Sequence, residues 1–241
     1  MRLSIATKAI LGNFANINQN ILFVEGNTIK TISEMGNISA SAVINENIPK
    51  RFAIYNLSEF LSVTNLTEEQ ELTFGDEHLL IEDKDNFIKI KYYYSSEESI
   101  SERFTKMWAS GKVQSGNNKL TFNISDDQMN KIRKASSTLG HDTISITSSD
   151  SSKIRLNLLD KNNATSNTFS IDLDYQKSEN YNIEEFNFDI NISNLKIVPG
   201  SYDVSISKLS NNVSVANFKH TDSLLDLEYW IACDTTTNSG E

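Results

Sequence analysis

One order of elements runs through this chain twice, and that repetition limits its fold more than any single motif does. Apolar positions at three-to-four spacing, Ala6, Ala9, Ile10, Phe14 and Ile17, predict an amphipathic helix over 4–19 with Ser4 as N-cap. Alternating segments at 21–24, 28–33 and 38–44 follow, the signature of half-buried strands. Residues 52–55 lead into a shorter helix in which Asn56 and Glu59 have capping-box spacing. Strands resume at 72–74, 79–82 and 87–94. The pattern then restarts. A strand over 119–124 precedes Ser125-Asp126-Asp127-Gln128, a capping box that opens a helix with Met129, Ile132, Ala135 and Leu139 facing inward. Strands are expected at 143–147, 153–159, 168–174 and 185–190. A short helical turn at 191–197 is stopped by Pro199-Gly200, and strands at 202–208, 213–219 and 225–232 finish the pattern. The long helices start 121 residues apart and the short-helix caps, Asn56 and Asn191, lie 135 apart. Internal duplication of a two-helix, multi-strand unit is the reading these offsets support.

The fold class is therefore α+β, with two similar domains, each placing two helices on antiparallel sheets. The expected boundaries are 1–94 and 119–233. Residues 95–118 are polar and turn-rich, as a connector should be, although Ile100, Phe104, Met107 and Trp108 are spaced as one apolar helical stripe. Residues 234–241 read as a disordered tail. The 28 Asn and 31 Ser residues favour turns and caps over helix interiors, consistent with many short elements.

Charge narrows the function. The 22 Lys and Arg against 32 Asp and Glu give −10, which excludes a broad basic face gripping nucleic acid. It does not exclude a local stripe. Arg2, Lys8, Lys131, Arg133, Lys134 and Lys196 all lie on or beside the four predicted helices. In the third helix the acids Asp126 and Asp127 are confined to the first turn, where the helix dipole favours them, and the three bases follow. Such a distribution is a positive stripe within a negative envelope; the alternative is a set of ordinary solubilising helix residues.

Signatures of catalysis are missing where they would be visible. There is no Gly-x-Gly-x-x-Gly, no Walker-type loop and no Gly-x-Ser-x-Gly elbow. Ser-x-x-Lys occurs at Ser193–Lys196 and Ser205–Lys208 without companion motifs. His78, His141 and His220 lack the spacing that would place two on one helix face. Cys233, the single cysteine, excludes an internal disulfide and reads as a small buried hydrophobe in a protein of a reducing compartment. No run approaches the length of a membrane span, and residues 1–24 do not resemble a secretory leader. No enzyme activity, metal or cofactor is expected.

A family resemblance adds to this. Met1-Arg2-Leu3-Ser4, Ala9 through Leu11, Asn13-Phe14-Ala15 and Ile17-Asn18 resemble the opening helix of the sliding clamps of T4-type bacteriophages. Ala53-Ile54-Tyr55 with Leu57 and Phe60-Leu61 is similar to their second helix region. Asp142-Thr143-Ile144, Phe186-Asn187-Phe188 and Pro199-Gly200-Ser201-Tyr202 match further marks in the same order. The resemblance implies a DNA-clamp fold and a head-to-tail, ring-forming homotrimer, related to PCNA and the bacterial β clamp. It implies a processivity factor in the cytoplasm of the infected bacterial host, opened by an ATP-dependent clamp loader and itself hydrolysing nothing. Partners would be double-stranded DNA without sequence preference, the phage DNA polymerase and a late sigma-like transcription factor, with no membrane.

On that reading the six cations line the pore. Partner docking falls to Phe104, Trp108, Tyr229 and Trp230, whose alternative role is packing at the domain seam. The 87–94 strand, through Ile88, Ile90, Tyr92 and Tyr93, is an edge for the next subunit. Two departures stand out: Ile5 and Gly12 occupy first-helix positions where basic residues are expected, and the connector is not proline-rich. The competing readings are an acidic β-rich phage structural or carbohydrate-binding protein, and a glycosidase working with two carboxylates.

Overall fold

A computed structural model describes residues 1–67, 69–100, 119–148, 153–160, 163, 165–177, 186–208 and 214–235. The chain divides into two compact units, Met1–Ala109 and Ser110–Glu241.

In the first unit the long helix is α1 (Ile5–Ile17), and Ser4 caps it by accepting from Thr7 N at 3.1 Å. It buries Ile10, Phe14 and Ile17 of the expected stripe together with Leu11, while Ala6 and Ala9 of that stripe are exposed. Four strands follow: β1 (Ile21–Phe23), β2 (Gly26–Ile32), β3 (Ile38–Ile48) and β4 (Phe52–Ile54). Helix α2 (Leu57–Thr64) is capped by Asn56, whose side chain accepts from Glu59 N at 3.0 Å. Strands β5 (Glu71–Phe74), β6 (His78–Asp83) and β7 (Ile88–Tyr93) form an antiparallel sheet in that order. Phe14, Ile21, Ile54, Leu57 and Phe60 meet in the core, and Phe23 stacks on Phe52 at 4.7 Å. Each such side chain contributes roughly 1.5–3 kcal/mol on burial.

The second unit carries β8 (Lys119–Ile124), helix α3 (Asp126–Leu139), β9 (Thr143–Ser148), β10 (Lys153–Leu158) and β11 (Phe169–Lys177). It continues with β12 (Asn187–Asn191), a 3-10 turn at Ile192–Asn194, β13 (Tyr202–Lys208), β14 (Ser214–His220) and β15 (Leu227–Thr235). These are two strand-helix-three-strand repeats, the second with its helix reduced to a turn. The pairings obey the repeat: β9–β10–β11 corresponds to β13–β14–β15, β11–β8 to β15–β12, and β8–β13 to β12–β9. Eight strands thus close into a ring of antiparallel pairs. The first unit follows the same plan with shorter links. There β1 pairs with β4, Met1 exchanges both backbone hydrogen bonds with Leu72 of β5, and Ser95 bridges to Ala53 of β4.

Three sequence expectations shift. The second short helix is only the 3-10 turn at Ile192–Asn194: Asn191 folds its side chain onto Ser193 N at 2.8 Å, and beyond the turn the carbonyls of Leu195 and Ile197 are taken by Arg133. The start of the connector packs on the first unit: Arg51 pairs with Glu97 at 2.7 Å, and Ile100 is buried with Leu22, Ile32 and Ala53. Strand β15 continues through Asp234 and Thr235, which pair with β12, so the first two residues of the expected tail belong to the sheet.

Candidate nucleic-acid interface

Helix α3 supplies the clearest cationic surface. Its start is a full capping box, with Ser125 Oγ accepting from Gln128 N at 3.2 Å and Gln128 Oε1 accepting from Ser125 N at 2.9 Å. Its end is Gly140, left-handed at φ 72°, a position that favours glycine. With both ends fixed and Met129, Ile132 and Ser136 buried, Lys131 and Lys134 are held on the exposed face. Lys131 pairs with Asp127 one turn earlier at 2.6 Å; both are well exposed, so the pair is worth only a few tenths of a kcal/mol. Lys134 is exposed and makes no ion pair with any described residue.

Arg133 is placed differently. Its Nη2 donates to Leu195 O at 3.3 Å and to Ile197 O at 3.2 Å, so the guanidinium is turned into the segment after β12. Between those carbonyls Lys196 projects as an exposed side chain, while Leu195 and Ile197 are buried. The structure thus joins α3 and Lys196 through Arg133.

The first unit offers less charge. Arg2 is held by Glu69 at 2.6 Å. Lys8 donates to Asn65 Oδ1 at 2.8 Å, Gln70 Oε1 at 3.0 Å and Thr64 O at 3.4 Å, tying α1 to the segment that follows α2. Partial burial draws the Lys8 ammonium below its ordinary pKa. The exposed positions of α1 are Ile5, 88% accessible, with Ala6, Ala9 and Asn16, and those of α2 include Ser58, Glu59 and Ser62. The positive stripe is concentrated in the second unit.

Among the described residues, strand β7 is bonded to β6 on one side only. Ile88, Ile90 and Tyr92 face inward and are half-buried, with Tyr92 edge-on to Phe60 at 5.4 Å, whereas Tyr93 is exposed. Lys89 and Lys91 share the outer face. They place two cations beside this edge, and Lys89 pairs with Glu82 at 2.8 Å. Of the docking candidates, Phe104 and Trp108 lie outside the described residues. Tyr229 and Trp230 are buried on β15, Tyr229 completely, with its hydroxyl accepting from Val198 N at 3.2 Å. Both rings are buried, and as consecutive residues of one strand they face opposite sides of β15.

The titratable groups are structural. Burial alone would raise Glu46, but hydrogen bonds from Thr7 and Ser4 outweigh it and hold the carboxyl below its usual range. Asp83 is lowered by the Asn86 side chain and by backbone donors of the turn it closes. Lys84 lowers Glu71, and Arg155 lowers Asp172. Burial pushes the Cys233 thiol up to about 12, as befits an unreactive core residue. Among the described residues, no cluster of His, Cys, Asp or Glu is suited to a metal ion, and no helix is long and apolar enough to cross a membrane.

Comparison with known proteins agrees in both units. Residues 4–99 match the family described as DNA polymerase processivity factor, and residues 121–235 match the gp45 sliding clamp, C terminal. The sliding clamp of Vibrio phage KVP40 is 29% identical over 235 residues, covering 97% of this chain and 99% of that protein. The sliding clamp of Escherichia phage RB69 is 32% identical over 212 residues, covering 86% and 87%. PCNA from Thermococcus kodakaraensis superposes with a TM-score of 0.62 at 12% identity, covering 95% of this chain and 96% of that one.

Proposed function

Because this chain belongs to the sliding-clamp family of T4-type phages, we propose that it encircles duplex DNA and tethers the replicative polymerase. It is a processivity factor with the clamp fold. In our reading, residues 1–94 and 119–233 are two arc segments joined by 95–118, and three chains associate head-to-tail into a ring. The open edge of β7, with Ile88, Ile90, Tyr92 and Tyr93, meets the next subunit. An ATP-dependent loader opens the ring in the cytoplasm of the infected host, and the polymerase and a late sigma-like factor dock a short apolar peptide, with Phe104 and Trp108 as candidate contacts. The clamp itself catalyses no reaction.

The observation that carries this reading is the exposed Lys131, Lys134 and Lys196 on an otherwise acidic chain. A few inward cations meet phosphates without reading bases, and few contacts keep the grip weak and salt-sensitive. Retention then comes from topology, since DNA threaded through a closed ring leaves only at an end or an opening. Arg2 and Lys8 contribute from the first unit as the weaker part of the lining. The test is retention after loading: the protein stays on nicked circular DNA and runs off when the circle is linearised. Equal loss from both forms, or a monomer by native mass spectrometry that cross-linking cannot trap as a trimer, overturns the proposal.

A further inference from the structure

We infer that Arg133 is a positioning residue, which sets the DNA-facing direction of Lys196 by holding the carbonyls on either side of it. The inference rests on the reading of this face as the DNA-facing one.

Residues 195–198 belong to no helix or strand, so their backbone groups need partners from elsewhere. Side chains supply them. Arg133 Nη2 takes Leu195 O and Ile197 O, at 3.3 and 3.2 Å. The Tyr202 hydroxyl donates to Val198 O, and the Tyr229 hydroxyl accepts from Val198 N at 3.2 Å. Burial pushes both phenols above their ordinary range, so they stay protonated and keep these roles. Downstream, Gly200 sits at φ 150° against His220, where an added Cβ would come within 2.2 Å of the imidazole Nε2. The segment is thereby fastened at 195, 197 and 198.

Within it, burial alternates. Leu195 and Ile197 point inward at 6% and 4% accessibility, and Lys196 points outward. Of the fasteners, Arg133 alone comes from α3, and it brackets Lys196 from both sides. A charge-assisted bond to a carbonyl is stronger than a neutral one, and losing it strips two carbonyls of a donor at once. The half-buried guanidinium, committed to these carbonyls, influences DNA through Lys196.

The test is a binding cycle with the full-length protein and a short fluorescent duplex of random sequence, titrated at several salt concentrations with melting temperatures measured alongside. K196A is expected to weaken binding about threefold and to flatten the salt dependence. R133A is expected to produce a comparable loss in the native background and no further loss on top of K196A. Additive losses in the R133A/K196A protein overturn the inference, since Arg133 would then act independently of Lys196. If R133A does not fold, Y202F, which loosens the same segment at Val198, takes its place with the same expected lack of additivity, and additivity there overturns it equally. K131A/K134A separates the two levels of the argument. If that protein binds weakly while K196A binds as the native chain does, the positioning role falls and the DNA face stands. If neither change weakens binding, the DNA face falls as well.

Discussion

Glu46 Oε2 accepts a 2.5 Å hydrogen bond from Thr7 Oγ1, and its other oxygen accepts from the backbone N–H of Ser4. A carboxylate on β3 therefore closes the N-terminus of α1, where free N–H groups and the helix dipole both favour negative charge. Replacing it with alanine removes an acceptor for both donors. Glu46→Ala is expected to cost about 1–2 kcal/mol in a urea titration. Because the folded carboxyl is held below its usual range, its contribution is present above the unfolded value and fades as pH falls through the folded one. Glu46→Gln should flatten that acid limb, and an unchanged limb would show that the cap carries no pH-dependent stability.

Lys8 and Lys134, both placed among the pore cations, should part company on mutation. Lys8 satisfies the buried Gln70 and bonds Asn65 as well. Lys8→Ala is expected to destabilise by about 1–2 kcal/mol by leaving a buried acceptor without its donor. Lys134→Ala, on an exposed helix face, should stay within about 0.5 kcal/mol of the native chain by the same measurement.

Phe87 holds φ at 56° and is 91% exposed, at the end of a turn closed by Asp83. A bulky residue in the left-handed region is strained, and exposure leaves little packing to lose. Phe87→Asn should raise stability by about 1 kcal/mol, visible as a higher melting temperature. A lower one would mean that the ring makes a compensating contact.

Reversing charge at Lys131 and Lys134 together should lower loader-dependent processive synthesis while leaving the melting temperature within a few degrees. Among the described residues, the ion pair lost is the exposed one between Lys131 and Asp127. Unchanged synthesis would remove α3 from the DNA face.

How much of this was legible in the residues depends on how local the cause is. The caps at Ser4, Asn56 and Ser125 lie where their spacing put them, because a cap is decided within four residues. The 38–44 alternation became β3 for the same reason, although the strand runs on to Ile48. The helical turn expected over 191–197 is confined to Ile192–Asn194, and the backbone after it is held by tertiary partners instead: Arg133, Tyr202 and Tyr229. Arg133 and Lys134 are neighbours with the same charge in sequence, and only the fold reveals that one is turned into carbonyls and the other to solvent. In sequence Tyr229 and Trp230 suit docking and packing alike, because aromatic residues serve both, and the fold shows both rings buried.

Among the described residues, the strand ring of the second unit closes through two residue pairs, Phe188 with Thr235 and Asp189 with Asp234, whereas β13 and β14 share seven. The second of those pairs sets like charges opposite each other. A circle so unevenly fastened has a natural zipper end. Slow breathing of this unit should begin where β15 leaves β12, and amide exchange there should outrun that of the β13–β14 ladder.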